Sequence, residues 1–410
     1  MAEKEIAVST KHVKLRIVLT ISFLIIAVAS ITIGVVSMGH KDPGYYSFNA
    51  DYNDEDPLYR SGYQGVLYFS GNSNKIKSDI AEARAIMSDS LLKSYRLFNE
   101  KDFIIGLNTL GDLNNNPNQE VALDPVLYAV LDDALTKTNE NKNYSLYSGP
   151  LYDYWEKLAN LGENAREAND PKNSLVYKAD LENLVKYCSS TYVNLELKGD
   201  NKAILHVEEE YLNYLKEEEI TSPIVSLNIL KDAYRVKLLL DDFANTSFQN
   251  GYFTADPGLL VSLKEHHDPV YTLYDNKKGS VQKAGKVNFV APSCASSLYR
   301  FSFGDYATNY VLKDGTIRNM QLNIETGYGD EQYLSSTLFA KDNDIVNAAY
   351  LNNYLSTIDY SDLNAALSSS YSAFSYVFCK NEEALNVYAT NNLSDFVTIN
   401  EGIGYNLSII

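Results

Sequence analysis

Only three cysteines, Cys188, Cys294 and Cys379, occur in 410 residues. They are far apart and odd in number, which argues against a disulfide framework and against a paired-cysteine metal motif. Positive charge is also scarce. There are 35 Lys and Arg against 53 Asp and Glu, a net charge of −18. Phosphate backbones are bound through Lys and Arg patches, so this balance speaks against nucleic-acid partners. Histidine is rare as well, with five residues. The adjacent pair His266-His267 has no third ligand at a supportive spacing and reads as a solvated loop. The chain has no G-x-G-x-x-G, P-loop, H-E-x-x-H or G-x-S-x-G motif. The standard nucleotide, zinc-peptidase and serine-hydrolase signatures are therefore missing. After Met38 there is no further long uncharged apolar run.

One such run is present before it. Residues 17–38 read IVLTISFLIIAVASITIGVVSM, without a charge. A bilayer core takes about 20 apolar residues of helix, and a helix satisfies its own backbone groups in lipid. Lys11, Lys14 and Arg16 precede the run. His40 and Lys41 follow it, and then the acidic residues Asp51, Asp54, Glu55 and Asp56. Positive charge stays on the cytoplasmic side. The expected order is a cytoplasmic N-terminus over 1–16, a transmembrane anchor over 17–38, a linker over 39–62 and an extracytoplasmic domain over 63–410. The expected location is the cell membrane, single-pass. Ala27-Val28-Ala29 lies inside the apolar core and not beyond it, so the segment reads as an uncleaved anchor and not as a signal peptide.

Hydrophobic residues make up 45%, an ordinary share for a folded domain. Periodicity predicts a strand over 63–70 and an amphipathic helix over 75–98. A second helix is expected over 123–138, with Asp124 as N-cap and Pro125 at its first position. Gly149-Pro150 opens a short segment ending at Trp155, and 180–189 reads as a helix. A strand is expected over 192–197, a helix over 202–218 and a strand over 224–230. Strand signals dominate from there to about Val311. A strand over 335–340, a helix over 344–354 and a hairpin from 374–379 and 384–388 close the chain. Helices and strands without strict alternation indicate an α+β fold.

Weaker marks recur in a telling order. Gly106-Leu107-Asn108 precedes Val121-Ala122-Leu123-Asp124. Then come Gly149-Pro150-Leu151, Trp155 and the stretch TYVNLELKGDNKA over 191–203. Gly304-Asp305-Tyr306 follows with Asp314-Gly315, and last Asn323-Ile324-Glu325-Thr326-Gly327-Tyr328. From Tyr63 onward the chain resembles the FAD:protein FMN transferases, the ApbE flavin-transferase family.

That resemblance implies an α+β ApbE-like fold that binds FAD and Mg²⁺. It also implies attachment of FMN to a Thr or Ser of an extracytoplasmic flavoprotein partner. A divalent cation would offset the pyrophosphate charge and polarise the attacked phosphorus. The family's Asp-Leu-Gly-Gly-Ile-Ala-Lys-Gly-Tyr stretch falls on residues 196–204 and carries its Lys over to Lys202. A double-Gly turn falls on Asn228-Ile229. The His-His-Ile-x-Asp-Pro-x-Thr-Gly stretch falls on 319–327, where both His are absent and Asn323 stands for the Asp. The late Asp-x-x-x-Thr metal motif falls on Ala349 and Asn353. The cofactor-binding set implied by the resemblance is Lys202, Gly304, Asp305, Tyr306, Asn323, Thr326, Gly327 and Tyr328. No catalytic residue and no metal ligand is assigned. Ala349 has no oxygen to give, and Mg²⁺ prefers hard oxygen ligands. An active but divergent Mg²⁺-dependent FMN transferase stays open, as do an FMN acceptor and an adhesive or scaffolding ectodomain of unrelated fold, and two further readings stand beside them. One is a degenerate transferase with reduced or lost activity. The other is a non-catalytic ectodomain that binds a flavin, a nucleotide or a protein.

Overall fold

A computed structural model describes residues 40–51, 62–140, 142–255, 258–264, 270–277, 280–288, 294–301 and 309–410. The expected anchor over 17–38, the pair His266-His267 and the site residues Gly304, Asp305 and Tyr306 lie outside them. Among the described residues no helix is long and apolar enough to cross a membrane.

The chain divides into two compact units. One comprises Met1–Gly44 and Phe69–Ala81, the other Tyr45–Tyr68 and Glu82–Ile410. In the first, the Lys41 N–H donates to Ser73 Oγ at 2.9 Å, and the Lys75 N–H donates to Asn72 Oδ1 at 3.0 Å. The second contact satisfies a donor that a helix start leaves open.

Strand β1 (Gly44–Asn49) is followed by β2 (Tyr63–Phe69) and helix α1 (Ser73–Leu97). Next come α2 (Leu110–Asn115), β3 (Glu120–Ala122) and α3 (Pro125–Asn139). Three helices follow in a row: α4 (Gly149–Ala159), α5 (Glu163–Asn169) and α6 (Leu175–Tyr187). A hairpin, β4 (Val193–Lys198) and β5 (Lys202–Val207), leads into α7 (Glu209–Glu217) and α8 (Lys231–Phe243). The strand-rich part holds β6 (Gly251–Ala255), β7 (Leu259–Ser262), β8 (Val270–Asp275), β9 (Gln282–Asn288) and β10 (Cys294–Tyr299). Then come β11 (Tyr310–Val311), β12 (Ile317–Arg318) and β13 (Tyr333–Ala340). The last elements are α9 (Ile345–Leu355), α10 (Tyr360–Ser368), β14 (Ser375–Lys380), β15 (Asn386–Ala389), β16 (Val397–Ile399) and β17 (Asn406–Ile409).

The main sheet has the order β1-β2-β6-β7-β10-β13-β14-β15-β17. Its middle is antiparallel, with Cys294 opposite Ala340 and Tyr299 opposite Ser335, while β15 and β17 run parallel. β2 alternates buried and exposed positions as a strand with one wet face must, whereas every residue of β13 is buried. Helix α9 packs on β10 and β13 and is buried nearly all round. That accounts for its weak amphipathic pattern. A separate apolar cluster joins α4 and α6 to the segment after β10, through Leu151, Trp155, Leu158, Leu181, Leu184 and Leu322.

Several sequence expectations hold. α3 starts where expected, with Asp124 Oδ1 accepting from the Val126 N–H at 2.8 Å. α9 and the β14–β15 hairpin also form. Others need correction. Gly44–Asn49 is the outermost strand of the main sheet and not linker. Residues 202–207 form a strand, because Ala203, Leu205 and Val207 alternate inward and pair with β4. The helix starts only at Glu209. Residues 224–230 are not a strand. They end in a 3-10 turn, Asn228–Leu230, that leads directly into α8. α8 itself was hidden by its apolar run Leu238-Leu239-Leu240.

Candidate functional site

The sequence Asn323–Tyr328 closes a tight turn on itself. Asn323 Oδ1 accepts from the N–H groups of Glu325 and Thr326 at 2.9 and 3.2 Å. The Gly327 N–H donates to the Asn323 carbonyl at 2.7 Å, and the Asn323 N–H donates to the Tyr328 carbonyl at 2.8 Å. An Asx side chain commonly builds such a turn, but it is then spent on its own backbone. Gly327 has φ +75°, and a Cβ there would lie 2.6 Å from Val185 on α6. Only glycine meets both demands.

The turn is anchored from below. Trp155 Nε1 donates to the Gly327 carbonyl at 2.7 Å. The Arg318 guanidinium lies 5.5 Å from the Trp155 ring and 5.1 Å from the Tyr328 ring. It forms a two-pronged pair with Asp170, with Nε and Nη2 at 2.9 and 2.8 Å from the two carboxylate oxygens. Asp170 is fully buried. Burial works against the Arg318 charge, and the Asp170 partner outweighs it, so the pKa lies above its ordinary value. Tyr310 Oη also donates to Asp170, at 3.2 Å.

A second set of contacts joins the turn to α9. Asn353 Nδ2 donates to the Asn143 carbonyl at 2.8 Å. Asn143 Nδ2 donates to the Leu322 carbonyl at 3.1 Å, and its Oδ1 accepts from the Ile324 N–H at 2.8 Å. Asn143 holds a left-handed backbone, φ +53°. Two asparagines thus link three segments.

A cavity of about 420 Å³ opens beside the turn. It lies between the C-terminal ends of α3 and α6, with Thr138, Ser145, Val185, Ser189, Ile324 and Glu325 in its wall. Cys188 also reaches it, and burial pushes that thiol up to about 12. Among the described residues no Lys, Arg or His lines it, so that wall offers no counter-charge to a pyrophosphate.

No profile of a known protein family matches the sequence, and no curated protein matches it. Solved structures do. An ApbE protein from Thermotoga maritima superposes with a TM-score of 0.58 at 14% identity, over 88% of this chain and 98% of its own. The flavin transferase ApbE from Vibrio cholerae gives 0.54 at 13%, over 86% and 100%. The flavinyl transferase ApbE from Pseudomonas stutzeri, in its apo form, gives 0.53 at 13%, over 83% and 95%. The chain has the ApbE flavin-transferase fold.

Within that fold the expected site residues separate. Asn323, Thr326, Gly327 and Tyr328 come together in the turn. Lys202 does not join them. It sits on β5, exposed, with Nζ 2.7 Å from Glu120, and this partner raises its pKa. The Leu123 N–H donates to the neighbouring Asn201 carbonyl, which places that hairpin at the N-terminal end of α3. The turn lies at the C-terminal end, where Thr138 and Asn139 share a cavity with Ile324. At 1.5 Å per residue, the 15 residues of α3 span about 22 Å.

Asn228-Ile229, where the resemblance places a double-Gly turn, lies in a 3-10 turn that leads into Lys231. Asn228 has φ +46°, the left-handed backbone a glycine would adopt. Its Nδ2 donates to Ser148 Oγ at 2.8 Å. Lys231 opens α8 and lies 2.6 Å from Glu100, which also accepts from Ser226 Oγ at 2.7 Å. Nothing in an Asn-rich stretch singles out Asn143.

The donor set at the late metal motif does not fit Mg²⁺. Ala349 is buried and ends in a methyl group. Asn353 is fully buried and offers one neutral oxygen, Oδ1, without a hydrogen-bond partner among the described residues. Mg²⁺ sites are built on one or two carboxylates plus phosphate and water. The two carboxylates just before α9 are exposed, and each engages the helix start through one oxygen. Asp344 Oδ1 caps the helix from the Asn347 N–H at 3.0 Å, and Asp342 Oδ1 accepts from the Asp344 N–H at 3.4 Å. Among the described residues no group of three His, Cys, Asp or Glu stands close enough to hold a metal.

Proposed function

We propose that this protein keeps the flavin-transferase fold as a flavin-binding ectodomain and has lost magnesium-dependent FMN transfer. The observation that carries the reading is Asn353. Its amide is tied to the Asn143 carbonyl at the position where the resemblance implies a metal ligand, next to the methyl of Ala349. A neutral donor in a sealed interior neither attracts a divalent cation nor offers it a coordination shell. The apolar run at 17–38 supports a membrane anchor, with the domain outside the cytoplasm. In this reading the partner is an extracytoplasmic flavoprotein or a free flavin.

The test is an FMN-transfer assay. The purified full-length chain is incubated with FAD, Mg²⁺ and a Thr-containing acceptor peptide, and the peptide is weighed by mass spectrometry. The expected result is an unmodified peptide, together with flavin binding detected by fluorescence. A Mg²⁺-dependent mass gain of one FMN would overturn the loss of transfer.

A further inference from the structure

The cavity beside the turn is lined by negative charge and neutral polar groups. α3 and α6 both end at it, and helix C-termini carry partial negative charge. Among the described residues Glu325 is the one charged side chain in its wall. Cys188 and Tyr144 stay neutral because burial raises both pKa values. A phosphate placed here would meet one carboxylate and two negative helix ends, with no cation to offset them.

What the wall does offer is amides and hydroxyl oxygens. The Thr138, Ser145 and Ser189 hydroxyls already donate, to the Ala134 carbonyl, the Cys188 carbonyl and Thr191 Oγ1, so each presents a remaining lone pair to an incoming O–H. Ser145, Ser189 and Thr138 line it, and Asn139 and Ser190 stand exposed at its rim. Val185 and Ile324 give it an apolar side. Its volume, about 420 Å³, lies toward the small end of ligand pockets, which run from about 300 to 1,000 Å³. The turn that carries Ile324 and Glu325 is already positioned by Asn143 and Asn353. No ion is needed to hold that wall in place.

We propose that this cavity takes an uncharged, hydroxyl-bearing flavin, a riboflavin-class ligand, without a divalent cation, and disfavours flavins that carry phosphate. The inference rests on the flavin-binding reading above. Apolar area on one side suits a ring system, and the remaining lone pairs of the wall hydroxyls suit the O–H donors of a polyol chain. Repulsion from Glu325 and the helix ends works against FMN and FAD.

The test is titration of the purified full-length chain with riboflavin, FMN and FAD, each with and without excess Mg²⁺, followed by flavin fluorescence. Riboflavin is expected to bind at least about tenfold more tightly than FMN or FAD. Mg²⁺ is expected to leave all three affinities unchanged. Glu325→Lys, at an exposed position, is expected to narrow or reverse the ranking. Tighter binding of FAD than riboflavin, or binding that requires Mg²⁺, would overturn this inference and leave the flavin-binding reading standing. An unchanged ranking in Glu325→Lys would place the flavin elsewhere and also overturn it. Failure of all three flavins to bind would overturn the flavin-binding reading itself.

Discussion

The indole Nε1 of Trp155 donates to the carbonyl of Gly327 at 2.7 Å, across 172 positions of sequence. Both residues are buried. Trp155 is the only tryptophan in the chain, so its emission reports directly on the turn beside the cavity. Trp155→Phe strands a buried carbonyl and is expected to lower stability by about 2 kcal/mol. Denaturant unfolding checks the value. A neutral result would mean that water reaches the Gly327 carbonyl.

Gly327→Ala carries two penalties at once. The backbone at φ +75° disfavours any side chain, and the new methyl would overlap Val185. We expect a loss of about 2 to 3 kcal/mol, with a shifted Trp155 emission maximum. Gly315→Ala is the comparison. It shares a positive φ, and an added Cβ there would meet open space. Its loss should be smaller, and equal losses would show that crowding by Val185 contributes nothing.

Asp170→Ala leaves Arg318 buried and without its two-pronged partner. Removing one member of a buried pair typically costs about 3 to 5 kcal/mol. The double variant Asp170→Leu with Arg318→Met is expected to recover much of that loss, since no charge is then stranded. A thermal melt of the three proteins checks the order. Equal stability of Asp170→Ala and the parent would exclude the pair as the turn's anchor.

The link between α9 and the turn runs through two asparagine amides and no carboxylate. A chelator is expected to leave the melting temperature of the parent unchanged. Asn353→Ala removes the donor to the Asn143 carbonyl and should lower stability by about 1 to 3 kcal/mol. A melting temperature that falls on chelation and is restored by Mg²⁺ would show a cation doing the work assigned here to Asn143 and Asn353.

Alkaline pH should weaken the fold. Burial raises the Cys188 and Cys379 thiols from an ordinary 9.0 to about 12, and raises Cys294 and Tyr144 in the same direction. The folded state therefore favours the neutral form. The stability this contributes is complete below the unfolded pKa and is lost as pH rises through the folded one. Urea unfolding should show lower stability at about pH 10 than at about pH 8, and Cys188→Ala should reduce the difference. A flat profile would mean that these thiols are not buried.

Much of the scaffold was legible in the sequence because its signals are local. Asp124-Pro125 marks a helix start by side-chain chemistry alone, and the alternation of 63–69 marks a strand. Residues 202–217 misled because Val207, Tyr211 and Leu215 recur at helical spacing while 202–207 also alternates. Pairing with β4, a non-local contact, decides in favour of the strand. The Thr-Gly-Tyr turn was legible, since glycine and asparagine betray unusual backbone. Lys202 lies apart from the Thr-Gly-Tyr turn because its Gly-Asp-Asn-Lys neighbourhood is a hairpin turn, with Asp200 and Asn201 at positive φ. The Asn143–Asn353 link was not legible, because it joins residues 210 positions apart through a backbone carbonyl.

Strand β1 begins at Gly44, and it forms one edge of the main sheet. Only the five residues 39–43 separate it from the apolar run that ends at Met38. Fully extended, they reach no more than about 18 Å. With the apolar run in a bilayer, as proposed, the sheet edge would hang on a short leash close to the lipid surface. A domain held so would sweep only a small volume in search of a partner, and whatever it engaged would have to diffuse to the membrane or be tethered beside it.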